Sequence, residues 1–152
     1  MRILEVLKKE TIICDLKAKE KIGVLKELSM PVSMVANVEH EDMLRVLIER
    51  EQLGSTGIGG GIGIPHGKLN QLKSLALGFG ISRDGIDFDS MDGRPTHIFF
   101  LLVTPENSTG MHLKLLAHIS RLLKNDVLKE KLMGARYVDD IYRVIKEEDK
   151  EF

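Results

Sequence analysis

Apolar side chains between residues 16 and 30 recur at helical spacing. Ala18, Ile22, Leu25 and Leu28 or Ser29 fall near one side, lysine and glutamate occupy the rest, and Pro31 follows. The pattern predicts an amphipathic helix closed by the proline. Residues 40–53 repeat it through Met43, Leu44, Leu47 and Ile48, and Gly54 stands where a left-handed cap costs little, so a second helix is expected. The period then changes. Leu75, Leu77, Phe79 and Ile81 alternate with smaller residues, whereas Ile98 to Val103 is an unbroken apolar run of the kind found in a strand buried on both faces. The segment 82–96, SRDGIDFDSMDGRPT, reads as a surface connection with room for a short strand at Ile86 to Phe88. Beyond Gly110, apolar or small residues at Leu113, Leu116, Ala117, Ser120 and Leu123 predict a helix, and 127–133 and 138–147 two shorter ones. Helices thus precede and follow the strands, as expected of a single-domain α/β sandwich over 1–152, with a central mixed β-sheet flanked by helices on both sides.

Composition narrows this picture. A chain of 152 residues, 43% hydrophobic, can bury a core without disulfides or metal. A net charge of -1 supplies no electrostatic reason to bind nucleic acid. Cys14 is the single cysteine, so an internal disulfide is excluded, and its flanks in TIICDL suit packing better than reactivity. Nowhere do about 18 apolar residues run uninterrupted, so neither membrane spanning nor secretion is expected and a cytoplasmic setting fits. The closing KEEDKEF reads as a solvated end.

Chemistry concentrates in residues 54–67, GSTGIGGGIGIPHG. Their seven glycines are too many for a helix and too regularly interrupted by apolar residues for a linker, which predicts a structured loop running into a strand. Two phosphate-binding patterns fail here. A Walker loop ending at Gly67-Lys68 needs glycine at 62 and Ser or Thr at 69, where Ile62 and Leu69 stand. A dinucleotide fingerprint starting at Gly57 needs glycine at 62, and one starting at Gly61 needs it at 66, where His66 stands. What remains is Ile64-Pro65-His66-Gly67, a histidine at the point where strand gives way to turn. Pro65 stiffens the backbone before it and Gly67 lets the chain leave sharply. A largely neutral imidazole held in this way is a plausible nucleophile towards phosphorus, because phosphoryl transfer depends mainly on alignment and charge stabilisation. A Pro-His-Gly in a glycine-rich turn is, on its own, more often structural.

Longer blocks resolve the choice. Glu49 to Lys68, ER-x-x-LGSTGIG-x-GIGIPHGK, resembles the segment around the phosphorylated histidine in the IIA domains of the bacterial sugar phosphotransferase system, fructose/mannitol/nitrogen-regulatory (type 2) family. Met111 to Leu123, MHLKLLAHISRLL, is similar to that family's helix whose first histidine faces the phosphorylated one. The resemblance covers nearly the whole chain. It implies His66 as the phosphorylated nucleophile, His112 as a supporting residue, and Arg50 as the guanidinium that stabilises phosphate charge. It further implies a phosphotransferase component that takes its phosphoryl group on Nε2 from the phosphocarrier HPr, itself charged from phosphoenolpyruvate through enzyme I. The group would pass to a cysteine of a IIB component, and through it to the IIC permease, for uptake of a fructose- or mannitol-type sugar, with no cofactor or metal. The alternative within the family is a nitrogen-regulatory IIA protein, phosphorylated on His66 and acting on regulatory target proteins. A noncatalytic anion-binding module would use the same cleft without forming a bond.

The remaining candidates read as structural. His112 could merely cap or pack its helix, a reading the resemblance reverses. His118 lies on another face of that helix, too far round to pair with His112 on a metal. His97 is expected to be a satisfied structural residue and His40 a surface one. The histidines and the cysteine lack the spacing of a zinc site. Asp84, Asp87, Asp89 and Asp92 lack the closing glutamate of an EF-hand loop. Lys68, Ser55 and Thr56 are assigned only to the surroundings of His66.

Overall fold

The apolar run at 96–104 becomes the centre of the molecule. In the computed structural model, which describes residues 1–150, it forms strand β6 (Thr96–Thr104), buried along its length apart from half-exposed His97. Successive side chains point to opposite faces of a sheet. Ile98, Phe100 and Leu102 therefore enter one core, and Phe99, Leu101 and Val103 enter the other. Strand β5 (Ala76–Ile86) lies antiparallel along one edge of β6, with Phe79 opposite Phe100 and their rings 5.0 Å apart edge to face. Beyond β5 lies β1 (Leu7–Ile13), parallel to it. On the other edge of β6 come β3 (Ile62–Gly63), parallel, and then β2 (Gly57–Gly59), antiparallel to β3. Strand β4 (His66–Lys68) also runs parallel to β6, further along the same edge. Among the described residues this makes a six-stranded mixed sheet.

Helices α1 (Lys21–Ala36) and α2 (His40–Gln52) cover one face through Val24, Leu25, Leu28, Val32, Met43 and Leu47. Helices α3 (Thr109–Leu122), α4 (Asp126–Gly134) and α5 (Val138–Glu148) cover the other through Leu115, Ile119, Leu128, Leu132, Ile141 and Ile145. The expected sandwich with helices on both sides is the observed architecture. No helix of the described residues is long and apolar enough to cross a membrane.

The details depart from the sequence reading in several places. Pro31 lies inside α1 and does not close it. The hydrogen bond lost at the proline is outweighed by burial beyond it, where Val32 packs against β5 and Ser33 is also buried, and the helix ends at Asn37 in the left-handed conformation, φ 57°. Ile22, expected on the packed face, is 43% exposed. Strand β1 escaped the pattern because Lys8, Lys9 and Glu10 interrupt it. An edge strand with one solvated stretch tolerates such charges.

Strand β5 continues through Ser82 to Ile86, residues expected to be a surface connection. Arg83 holds that end by donating to the carbonyls of Met133 and Ala135 at the end of α4 and, at 3.0 Å, to that of Cys14. In α3 the buried face carries His112, Leu115, His118 and Ile119, while Leu113 is 61% exposed. The true face is rotated from the expected one because it includes two histidines that an apolar pattern passes over. His40 is half-buried against Ser29, at 2.8 Å, and starts α2. KEEDKEF is not simply solvated: Asp149 is buried and accepts from the backbone N–H groups of Ile3 and Leu4 at 2.9 and 3.0 Å. Residues 151 and 152 of that segment lie outside the described residues.

The close approach of α1 to β5 rests on glycine. A Cβ at Gly78 would stand 2.6 Å from Val32 Cγ2. Gly78→Ala is expected to lower stability by about 1–3 kcal/mol in urea unfolding. Combining it with Val32→Ala should recover part of that loss as a favourable coupling; strictly additive effects would show that the contact is relieved some other way.

Candidate functional site

The site begins with the interruption between β3 and β4. Tight reversal of the chain between β2 and β3 requires three consecutive residues at positive φ, Gly59 (93°), Gly60 (66°) and Gly61 (80°), a sequence that side-chain-bearing residues would adopt only with strain. Ile64 and Pro65 are then buried and His66 emerges half-exposed at the start of β4. The Nδ1 of His66 lies 2.8 Å from the carbonyl oxygen of Ile64. A carbonyl can only accept, so Nδ1 carries the hydrogen and the neutral ring keeps its lone pair on Nε2. Burial holds the pKa of His66 below its usual value, against the raising effect of the Ile64 carbonyl; the neighbouring Arg50 charge lowers it further and Glu51 raises it.

His112, in the first turn of α3, meets His66 edge to face with ring centroids 5.4 Å apart. The ring is buried, and its Nδ1 is 2.6 Å from the hydroxyl of Thr104 at the end of β6. Burial, with the nearby His66 and Lys68, pushes its pKa down to about 4, so it is neutral at physiological pH and a protonated role in the free protein is disfavoured. Lys68, two residues beyond His66, donates to Thr109 Oγ1 at 2.8 Å and so ties β4 to the start of α3.

Arg50 lies in the last turn of α2 and donates through Nη1 to the carbonyl of Gly54 at 2.8 Å. The next residue, Glu51, is buried. It accepts from the backbone N–H of Thr56 at 3.1 Å and from the Thr56 hydroxyl, and pairs with Lys21 at 3.0 Å. Thr56 in turn accepts from the N–H of Ile64 at 3.0 Å. Hydrogen bonds thus run from the end of α2 through the glycine loop to the residue that orients His66. Further round the loop, Asp92 accepts from the N–H of Gly60 at 3.0 Å, and Lys129 donates to its carbonyl at 3.2 Å. Ser55 donates to the carbonyl of Phe88 at 2.6 Å and accepts from the N–H of Gly57 at 2.9 Å.

The structure therefore sets His66 of β4 against His112 of α3, with the charge of Arg50 from α2 near enough to His66 to lower its pKa. It leaves His97 bonded to the carbonyl of Ser82 at 3.0 Å and His118 near Asp149 at 3.8 Å, both outside that group. Two contributors went unnoticed in the sequence. Glu51 looked like one more charge on a helix, and Thr104 like an ordinary β-former ending a strand. Neither type carries a signal of its own; only the burial of both points to them. Chemically, the arrangement offers an unprotonated nitrogen on a half-exposed imidazole, with the positive charges of Arg50 and Lys68 in the neighbourhood of the two rings, a combination that suits an anion.

The chain is thus a mixed α/β domain in which His66, beside the central strand, faces His112 at the start of α3. Residues 5–148 match the family described as the phosphoenolpyruvate-dependent sugar phosphotransferase system, EIIA 2, and the chain belongs to that family. It is 38% identical over 145 residues to a nitrogen regulatory protein of Bradyrhizobium diazoefficiens, covering 95% of each. It is 34% identical over 151 residues to the fructose-specific EIIABC component of Bacillus subtilis, covering 99% of this chain but spanning 24% of that longer protein. Among solved structures, nitrogen regulatory protein IIA-Ntr from Neisseria meningitidis superposes with a TM-score of 0.88 at 30% identity over 93% of this chain and 97% of that one. IIA of the Escherichia coli mannitol system, solved in complex with phosphorylated IIB, gives 0.80 at 19% over 93% and 97%, a likeness of fold.

The hydrogen-bonding pattern predicts that long-range ¹H–¹⁵N correlation at pH 7 will find His66 protonated on Nδ1 and bare on Nε2; the opposite tautomer would refute the Ile64 assignment. His112 adds a pH dependence. Its folded pKa of about 4 lies below the 6.5 of the unfolded chain, so the unfolded state binds more protons between those values and stability falls as pH drops through that window. The loss attributable to His112 should be on the order of 2–3 kcal/mol. Urea titrations of wild type and His112→Gln at pH 7 and 5 should show the shallower loss in the variant.

Proposed function

We propose that the protein is a phosphoryl carrier of the phosphoenolpyruvate-dependent phosphotransferase system and that His66 carries the group on Nε2. The observation that supports this most directly is the bond from His66 Nδ1–H to the Ile64 carbonyl, which leaves Nε2 as the nucleophilic nitrogen. Arg50 would neutralise the equatorial oxygens and His112 would line the other side. In the transfer, the bond from phosphorus to the donor nitrogen breaks as the bond to His66 Nε2 forms, and each imidazole keeps its remaining ring hydrogen. The donor is phospho-HPr and the acceptor a cysteine of a IIB component, which serves a IIC permease for a fructose- or mannitol-type sugar. A IIA–IIB assembly is known for the mannitol protein of the same fold. The setting is cytoplasmic, and residues 1–152 act as one IIA domain.

A second reading has its own support: similarity to a nitrogen regulatory protein extends over 95% of both chains, whereas a fructose-specific EIIA component matches over 72% of this chain and 71% of its own. In that reading the same phosphohistidine signals to target proteins and no sugar is moved.

Incubation with enzyme I, HPr and phosphoenolpyruvate, followed by intact-mass spectrometry at neutral to alkaline pH, should add one phosphoryl group (about 80 Da) to wild type and none to His66→Ala. An equal gain in the variant would remove His66 as the carrier. Arg50→Gln should slow the reaction about 10- to 100-fold, as loss of a charge-assisted hydrogen bond would. Phosphate passing onward to a IIB cysteine favours transport, and a stable phosphoprotein that no IIB discharges favours regulation.

A further inference from the structure

Thr104 is fully buried at the end of β6, and the only partner its hydroxyl has among the described residues is Nδ1 of His112, at 2.6 Å. Two arrangements could fill that distance. If His112 donated from Nδ1, the hydroxyl hydrogen of Thr104 would be left inside the protein with nothing to accept it. If the hydroxyl donates, no buried donor is unsatisfied and Thr104 forgoes only acceptor capacity. Orphaned buried donors are the costlier and rarer case.

We propose that Thr104 is a positioning residue that donates its hydroxyl hydrogen to Nδ1 of His112, locking that ring as the tautomer with hydrogen on Nε2. The inference rests on the carrier reading and deepens it. The two histidines are then opposite tautomers: His66 bare on Nε2 and ready to bond phosphorus, His112 bearing N–H on Nε2. With the rings 5.4 Å apart, that N–H is available to donate to an oxygen of a phosphoryl group on His66. In the other tautomer, a lone pair would face those anionic oxygens and repel them. The choice between donor and repeller lies with Thr104, which itself never touches the phosphoryl group. Its place is set by strand pairing: Lys68 of β4 is in register with Thr104, and the Thr104 carbonyl accepts from Leu69 N–H at 2.9 Å, so the hydroxyl is held by the same pairing that holds the His66 strand.

The test uses ¹⁵N-labelled wild type, Thr104→Val and Thr104→Ser. Long-range ¹H–¹⁵N correlation at pH 7 should show His112 in wild type and Thr104→Ser protonated on Nε2 with Nδ1 bare. Thr104→Val, nearly the same shape without the hydroxyl, should lose that preference while the His66 tautomer stays unchanged. Its initial rate of phosphorylation by phospho-HPr should drop about 10-fold, roughly the value of one hydrogen bond, with Thr104→Ser near wild type. A wild-type His112 protonated on Nδ1, or a Thr104→Val protein that keeps both tautomer and rate, would overturn the proposal. The tautomer measurement needs no phosphoryl donor, so a protein that never takes up phosphate defeats the carrier reading and still leaves the role of Thr104 decided.

Discussion

Strand β6 is buried on both faces, and every backbone group along it has to find its partner within the sheet. That constraint organises the site. One edge is taken by β5 along its length, but the other is shared by two short segments, β3 and β4, laid end to end. At the outer end of β3 the Gly61 carbonyl accepts from the N–H groups of His97 and Ile98 at 2.8 and 3.0 Å, while the gap between the two segments is bridged at Pro65, whose carbonyl accepts from the N–H of Leu102 at 3.0 Å. Proline fits there because the residue presents an acceptor to β6 and has no donor to strand. His66 follows directly, so its backbone is held by the central strand while its ring remains half-exposed.

Electrostatics complete what the sheet begins. Both imidazoles are driven towards the neutral form by burial, and the positive charge comes instead from Arg50 and Lys68. Buried Glu51 is balanced by Lys21 and by the hydroxyl and N–H of Thr56, so it anchors the glycine loop and α2 to one another. The consequence is a candidate site whose exposed imidazole and cation derive from different elements yet share one hydrogen-bonded frame. Under the carrier reading proposed above, preorganisation of this kind would serve transfer between proteins, since each docking would find acceptor and charge already in place.

Much of this was legible beforehand. The even burial of β6 followed from its unbroken apolar run, and the glycine-rich block ending in Pro-His-Gly was read as a structured loop that exposes His66 where strand and turn meet, which is how the chain runs. Elsewhere local signals misled. Pro31 looked like a stop, Lys8 to Glu10 hid an edge strand, and the inward face of α3 was mistaken because His112 and His118 do not count as apolar in a periodic pattern. In the first two cases packing against a distant segment outweighed a local preference of about a kilocalorie or a few, and in the third two polar rings were buried among apolar ones.

The sequence by itself determined the alternation of helix and strand, the conformational freedom of the glycine turn, and the identity of the histidine that emerges from it, because those depend on residues close together along the chain. Tertiary structure alone decided which nitrogen of His66 is bare, that His112 is neutral, and that Glu51 and Thr104 belong to the site. Those properties arise from burial and from hydrogen bonds whose geometry exists only once the chain has folded, and residue type does not encode where either will occur.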